Sequence, residues 1–180
     1  GALDDDGTKG APEELLIAGL AGQTYFIVVD AWSPTEAGGF TLAVDSPAND
    51  ACEGAIPVLQ KGVALEASTA GAANDYNSAS ASSACSRNWP GPDVVFAYVP
   101  TTADTFTISI TNVEAGFDVA VLATSGGCGD SASCAGSRDS NVGGRDETLS
   151  ITTPTPNTTY FIVVDGFTAA DAGAFTIRVD

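Results

Sequence analysis

The sequence predicts an all-β protein, an antiparallel two-sheet sandwich, and three observations carry that expectation. Val, Ile, Thr, Phe, Gly, Ser and Asp are abundant, whereas Lys and Arg together number six and Met is absent; this balance favours strands joined by tight turns over helices. Residues 104–111 alternate strictly, sending Phe106, Ile108 and Ile110 to one face and hydroxyl side chains to the other, as a half-buried antiparallel strand requires. The chain also repeats itself: Thr24-Tyr25-Phe26-Ile27-Val28-Val29-Asp30 returns letter for letter as Thr159-Tyr160-Phe161-Ile162-Val163-Val164-Asp165.

In chain order, strands are expected near residues 56–60 and 63–68. Residues 94–99 form a continuous apolar run suited to a central strand, and residues 104–111 form the alternating strand just described. Segments near 117–123 and 148–152 follow. The run 160–164 is again continuous, and residues 173–179 alternate, with Phe175, Ile177 and Val179 on one face. About eight strands suffice for two packed sheets.

The repeat sets the domain organisation. At an offset of 135 residues, 13 of the 23 positions from residue 23 to 45 are identical to residues 158–180, including Phe40-Thr41 on Phe175-Thr176 and Val44-Asp45 on Val179-Asp180. Residues 1–45 therefore read as the C-terminal third of one unit, and residues 46–180 as a complete following unit. Gly1 opens in mid-pattern, as expected of a mature or truncated product of something longer. About three strands in residues 1–45 cannot bury their own apolar face, so something must cover Tyr25, Ile27, Val29, Phe40 and Leu42. A second copy, through strand exchange or strand addition, is one expectation; missing residues of the same protein are the other.

Charge excludes whole classes of partner. With 23 acids against 6 bases the net charge is −17, which repels nucleic acid and anionic membranes. No stretch of about 18 apolar residues exists to span a bilayer. Carboxylates in such excess repel one another unless cations bind among them, which makes calcium the expected cofactor. The chain has no His, so neither a Ser-His-Asp nor a Cys-His arrangement can form; an enzyme is not expected.

The four cysteines, Cys52, Cys85, Cys128 and Cys134, suit disulfides in an oxidising compartment better than zinc, whose thiolate ligands come in closer pairs with His or further Cys. Of three possible pairings, Cys128 with Cys134 is local, because Gly129, Asp130 and Ser131 can turn the chain back. That leaves Cys52 with Cys85.

Asn49-Asp50-Ala51-Cys52, Asn74-Asp75-Tyr76, Gly91-Pro92-Asp93-Val94-Val95-Phe96, Gly116-Phe117-Asp118-Val119 and Thr159-Tyr160-Phe161-Ile162-Val163-Val164-Asp165-Gly166 occur in an order that resembles the bacterial pre-peptidase C-terminal domain and its cysteine-containing relatives in large secreted proteins. The resemblance spans residues 46–180. It implies a jelly-roll-like β-sandwich without catalytic activity of its own, an accessory to proteases or a tandem unit of surface proteins, with calcium at its loops and a bacterial source. No peptidase domain is attached within these 180 residues, a departure from the family's usual setting.

Candidate sites follow from the acids. Short spacings of Asp, Asn and Gly supply the six to eight oxygens that calcium takes; the candidates are Asp139, Asn141, Asp146 and Glu147 in the complete unit, and Asp4, Asp5 and Asp6, with Glu13 and Glu14, in the partial one. Neither loop fits an EF-hand, and solvated turn acids look the same in sequence. Asp75, Asp93 and Asp118, each beside an apolar strand edge, form a second group. Asp30 and Asp165 end the repeated strand, closing a site or terminating pairing. Trp32, Trp89 and Phe167 are candidate ligand or partner contacts, Trp32 and Phe167 at the same repeat position; packing over the sandwich edge is the alternative. Asn157-Thr158-Thr159 is a glycosylation sequon.

The function expected is that of a secreted, cell-surface structural or adhesive repeat protein, assembling into filaments with copies of itself through strand complementation and stiffened by disulfides and calcium. The alternative is a non-catalytic module of a secreted enzyme that binds polysaccharide or matrix protein.

Overall fold

The computed structural model describes residues 26–31, 33–36, 38–42, 47–52, 54, 56–76, 85, 89–128 and 133–180. Eight strands build the fold: β1 (Ala64–Ser68), β2 (Val94–Tyr98), β3 (Phe106–Thr111), β4 (Val119–Ser125), β5 (Ser133–Arg138), β6 (Glu147–Ile151), β7 (Tyr160–Gly166) and β8 (Ala174–Val179). No helix occurs among the described residues.

The strands divide into two four-stranded antiparallel sheets, ordered β1-β8-β3-β6 and β2-β7-β4-β5. Every connection except the β4–β5 hairpin crosses from one sheet to the other, which is the winding of a jelly roll. The all-β sandwich expected from the sequence is the fold observed.

Between the sheets lies the main core. Phe106, Ile108 and Ile110 from β3 and Phe175, Ile177 and Val179 from β8 meet Val94 and Phe96 from β2, Val119 and Val121 from β4, and Ile162 and Val164 from β7. Phe96 and Phe175 meet edge-on with centroids 6.1 Å apart, a favoured geometry for aromatic rings.

The two sheets differ in their outer faces, and their sequences record it. β3 and β6 alternate buried with part-buried or exposed residues, because hydroxyls such as Thr107 and Ser150, whose oxygens lie 3.2 Å apart, face solvent. β2 is buried at every position and β7 at all but Phe161. Their second face carries its own apolar cluster: Val95, Ala120, Leu122 and Val163 lie under Cys85 and Trp89, with Ile56, Tyr76, Cys128 and Cys134 packed around them. A sheet covered on both faces selects for continuous apolar runs.

Two expectations about strands change. Residues 56–60 hold only an isolated bridge, Val58 with Ala97, and β5 is a strand the pattern did not reveal. Residues 26–31, 33–36 and 38–42 contain no strand; Phe26, Val28 and Phe40 are 89%, 83% and 67% exposed. Tyr25 lies outside the described residues.

Candidate functional site

The outer layer over β2 and β7 brings together most of the unusual chemistry of this chain. Asn49 docks it like an added strand partner: Val95 N–H donates to its carbonyl at 2.8 Å and its side-chain amide donates to Val95 O at 2.9 Å. Asp50 Oδ1 accepts from Ala73 N–H, and the Tyr76 hydroxyl accepts from Cys52 N–H. Gly91 is required where this layer joins β2, since a Cβ there would lie 2.3 Å from Gly166 O, the atom to which Gly91 N–H donates.

Two disulfides tie the layer down, Cys52–Cys128 and Cys85–Cys134. The expected pairing, Cys128 with Cys134 and Cys52 with Cys85, is therefore corrected. The physical reason is β5. β4 and β5 pair antiparallel, and Cys134 sits on β5 opposite Thr124. Each cysteine of the hairpin thus reaches a different point of the layer.

Beneath the layer Asp93 and Asp165 are both buried. β2 and β7 pair as far as Val94 with Val164; Asp93 directly precedes β2, Asp165 lies on β7, and the charge of Asp93 acts on Asp165. Their exposures are 0% and 1%. Asp93 Oδ2 accepts from Asp75 N–H and Tyr76 N–H, both at 3.0 Å, while Oδ1 of each aspartate is buried without a partner. Burial raises the pKa of Asp93 to about 7, with the charges of Asp75 and Asp50 adding to it against the two backbone N–H groups. Burial, then the charge of Asp93, pushes Asp165 up to about 9. Both carboxyls resist ionisation.

A second cluster forms where the β3–β4 loop meets the loop before β6. Burial, followed by the negative charges of Asp139, Asp171 and Glu147, raises the pKa of Asp118, and Asp118 Oδ1 is buried and unpartnered. Glu147, 2% exposed, is already engaged: its Oε1 accepts from Ser140 N–H at 2.7 Å and Asn141 N–H at 2.5 Å, and Arg138 approaches Oε2 at 3.9 Å. Asn141 turns its amide to Asp146 O at 2.7 Å, and Asp171 Oδ2 accepts from the Thr168 N–H and hydroxyl. Among the described residues no three Asp, Glu or Cys side chains are gathered as a metal-holding group.

The candidates from sequence thus separate. Asp118 joins Asp139 and Glu147 with Asp171, which sequence reasoning missed, whereas Asp75 and Asp93 belong to the outer layer with Asp165. There Asp93 holds backbone N–H groups in a closed apolar setting; its carboxyl anchors the layer rather than opening to solvent. Trp89, 3% exposed inside the second cluster, offers no face to a ligand, because the layer folds over it. Phe167 is 45% exposed. Asn157 is exposed, with φ of +58°. Asp30 is exposed and caps Ala31 N–H at 2.9 Å. Asp4, Asp5, Asp6, Glu13, Glu14 and Trp32 lie outside the described residues.

No protein-family model matches this chain, and no curated protein matches it. Among solved structures it is similar to the pre-peptidase C-terminal domain of a collagenase from Bacillus anthracis, at 12% identity and a TM-score of 0.44, over 70% of this chain and 95% of that one. At that overlap the likeness assigns no activity, ligand or partner.

Proposed function

We propose that this chain is a non-catalytic, extracellular structural module that works in series with units of its own kind, residues 26–42 docking onto the complementary surface of another unit. One observation carries the reading: the side chains that β7 and β8 bury in the sandwich recur, in the same order, exposed in residues 26–42. The kind of surface that would take them is the one that holds β7 between β2 and β4 and β8 between β1 and β3; in this unit β7 and β8 themselves fill it, so docking there requires a unit in which that place is open. The two disulfides favour an oxidising compartment, and a chain without His lacks the usual general base.

Calcium belongs to the same proposal. The unpartnered Asp118 Oδ1 amid the charges of Asp139 and Asp171 fits a cation that draws these carboxylates together. Glu147 is not counted as a ligand, because its oxygens hold the loop's own backbone. The cation would stiffen the loops at one end of the sandwich and take no part in bond making.

Sedimentation of the full chain, with calcium or with chelator, tests the reading. Concentration-dependent association is expected, weakened by chelator and abolished by Ile27→Asp with Val29→Asp while the melting temperature stays put. A monomer at every concentration, indifferent to these changes, overturns self-assembly and leaves the binding-module alternative.

A further inference from the structure

We propose that the free edge of β1 is the acceptor for residues 38–42 of a second copy, which add to the β1-β8-β3-β6 sheet as an antiparallel strand. The inference rests on the reading that residues 26–42 meet another unit, and it names the surface they meet. Docking into the place of β7 and β8 needs a unit in which that place is open; β1 offers residues 38–42 one that is open in this unit.

Elimination picks the edge. The two sheets end on four strands, and an edge takes a new strand where its backbone is unpaired and apolar side chains remain to be covered. β2 is closed by residues 57–59: Ala97 N–H donates to Pro57 O at 2.9 Å and Leu59 N–H to Ala97 O at 2.8 Å. β5 ends the same sheet with small or polar residues and Arg138, so covering it gains little. β6 already buries its apolar side chains, Leu149 at 7% and Ile151 at 3% exposed, and Gly136 of β5 lies so close that a Cβ there would stand 3.2 Å from Leu149 Cδ1. β1 differs. Among the described residues it pairs with β8 alone. Leu65, on the same face as the core-packed Ala67, is 37% exposed, and Val63 just before the strand is 52% exposed. Leu65 lies opposite Ile177, which is fully buried; the core runs out to this edge and stops uncovered.

Pattern picks the occupant. The β1-β8-β3-β6 sheet turns one face to solvent, so a strand added to it must alternate. Phe40-Thr41-Leu42 does, and the continuous run 26–30 does not. Residues 38–42 correspond to residues 173–177, whose strand β1 already accepts on its other edge, with Phe175 opposite Ala67 and Ile177 opposite Leu65. The same register on the second edge sets Phe40 beside Ala67 and Leu42 beside Leu65, with Thr41 next to Glu66 on the solvent face. In their own chain Phe40 and Leu42 stand 67% and 54% exposed, so they do not cover its own β1. One segment and one edge per copy make a head-to-tail contact that continues from copy to copy.

Sedimentation of full-length Leu65→Lys, Leu42→Lys and their equimolar mixture tests the edge. Either variant alone is expected to associate about 30-fold more weakly or worse, the size of a hot-spot loss. In the mixture the intact segment of Leu65→Lys meets the intact edge of Leu42→Lys, so dimers form and growth stops there. In the wild type, the β1 amides that point away from β8 should exchange with deuterium more slowly as concentration rises. Association lost in Leu42→Lys but kept in Leu65→Lys overturns this edge and leaves the meeting of two units standing, and so does a mixture that stays monomeric. A wild-type chain that is monomeric at every concentration overturns both, including one whose β1 amides are protected throughout, which would mean that the segment folds back onto its own edge. If Leu65→Lys does not fold, wild-type exchange decides: β1 amides indifferent to concentration in an associating chain overturn the edge.

Discussion

Residues 26–30 and 161–165 are the same five letters in two settings. In β7, Ile162, Val163 and Val164 are 0%, 3% and 0% exposed; their copies Ile27, Val28 and Val29 are 49%, 83% and 51% exposed. Phe175 and Ile177 are buried at 2% and 0%, while Phe40 and Leu42 stand 67% and 54% exposed. Local propensity is identical, so it does not decide the outcome. β7 is a strand because β2 and β4 complete its hydrogen bonds and two apolar layers cover its faces; residues 26–31 have neither among the described residues. Strand propensity is fit to a half-built surface rather than a property of the backbone alone.

That difference can be broken from the side of the complete unit. The Cys52–Cys128 bridge spans 76 residues and holds down the layer over Val163. Replacing both cysteines with Ala is expected to cost about 4 kcal/mol in the chain-entropy picture and to leave Val163 exposed as Val28 already is. Urea unfolding followed by Trp89 emission measures it; a cost below about 1 kcal/mol would mean that the layer holds without the bond. Next in size, Ile162→Ala is expected to lose about 3 kcal/mol through the cavity it leaves, whereas Ile27→Ala should stay within about 0.5 kcal/mol in the monomer. Equal costs at the two sites would mean that residues 26–30 are packed in solution, and would strengthen the docking proposal.

Asp165 and Asp30 carry the comparison into pH. An unfolded aspartate titrates near 3.8 and the folded Asp165 near 9. Below about pH 4 both states hold the proton. Between these limits the folded chain holds the proton and the unfolded chain does not, so the stability contributed by Asp165 falls as pH rises. Asp165→Asn should therefore flatten the decline in melting temperature between pH 5 and pH 9 by about 5 °C, the equivalent of about 2 kcal/mol in a domain of this size. Asp30→Asn, at an exposed copy of the same position, should leave the decline as it is. Melts at high salt separate this effect from general repulsion among 23 acids, because salt screens surface charges and not the buried pair. A flattening of equal size in both variants would assign the decline to net charge alone.

How much of this was legible depended on which force left a pattern in the letters. Alternation in residues 104–111 and continuous runs in 94–99 and 160–164 record one covered face and two, and the strands observed there follow. β5, with Ser133, Cys134, Ala135, Gly136, Ser137 and Arg138, has no such pattern: it is an edge strand, half-covered by a thin layer, and Gly136 packs where a Cβ would press on Leu149. Missing it made Cys128 and Cys134 look like neighbours across a turn, so the disulfide pairing inherited the error. The acids fared likewise. Asp139, Asn141 and Asp146 do lie in the loop before β6, while Glu147 opens that strand, but whether a carboxyl faces water or a backbone N–H is set by register. Asp93 and Asp165 are 72 positions apart in sequence, and only the β2–β7 pairing brings them to the same end of the sheet. Trp89 invites a ligand reading for the same reason; nothing in the letters shows that the layer closes over it.

The smallest expected effect is the most direct check that residues 26–42 encode a strand pair at all. At the core-facing positions compared above, β8 differs from its copy at one, where Ile177 stands for Leu42. Ile177 is fully buried, opposite Leu65 on β1 and Ile110 on β3. Exchanging Ile for Leu conserves volume and changes only branching, so Ile177→Leu should cost about 1 kcal/mol, the usual range for a shape change that neighbours absorb. If residues 40–42 occupy an equivalent place in another sandwich, Leu is already an accepted answer to that environment, and the substituted chain keeps its cooperative unfolding with little change in slope. A loss above about 3 kcal/mol would show that the two environments are not equivalent, and the exposed copy would have to be covered by a surface of a different shape.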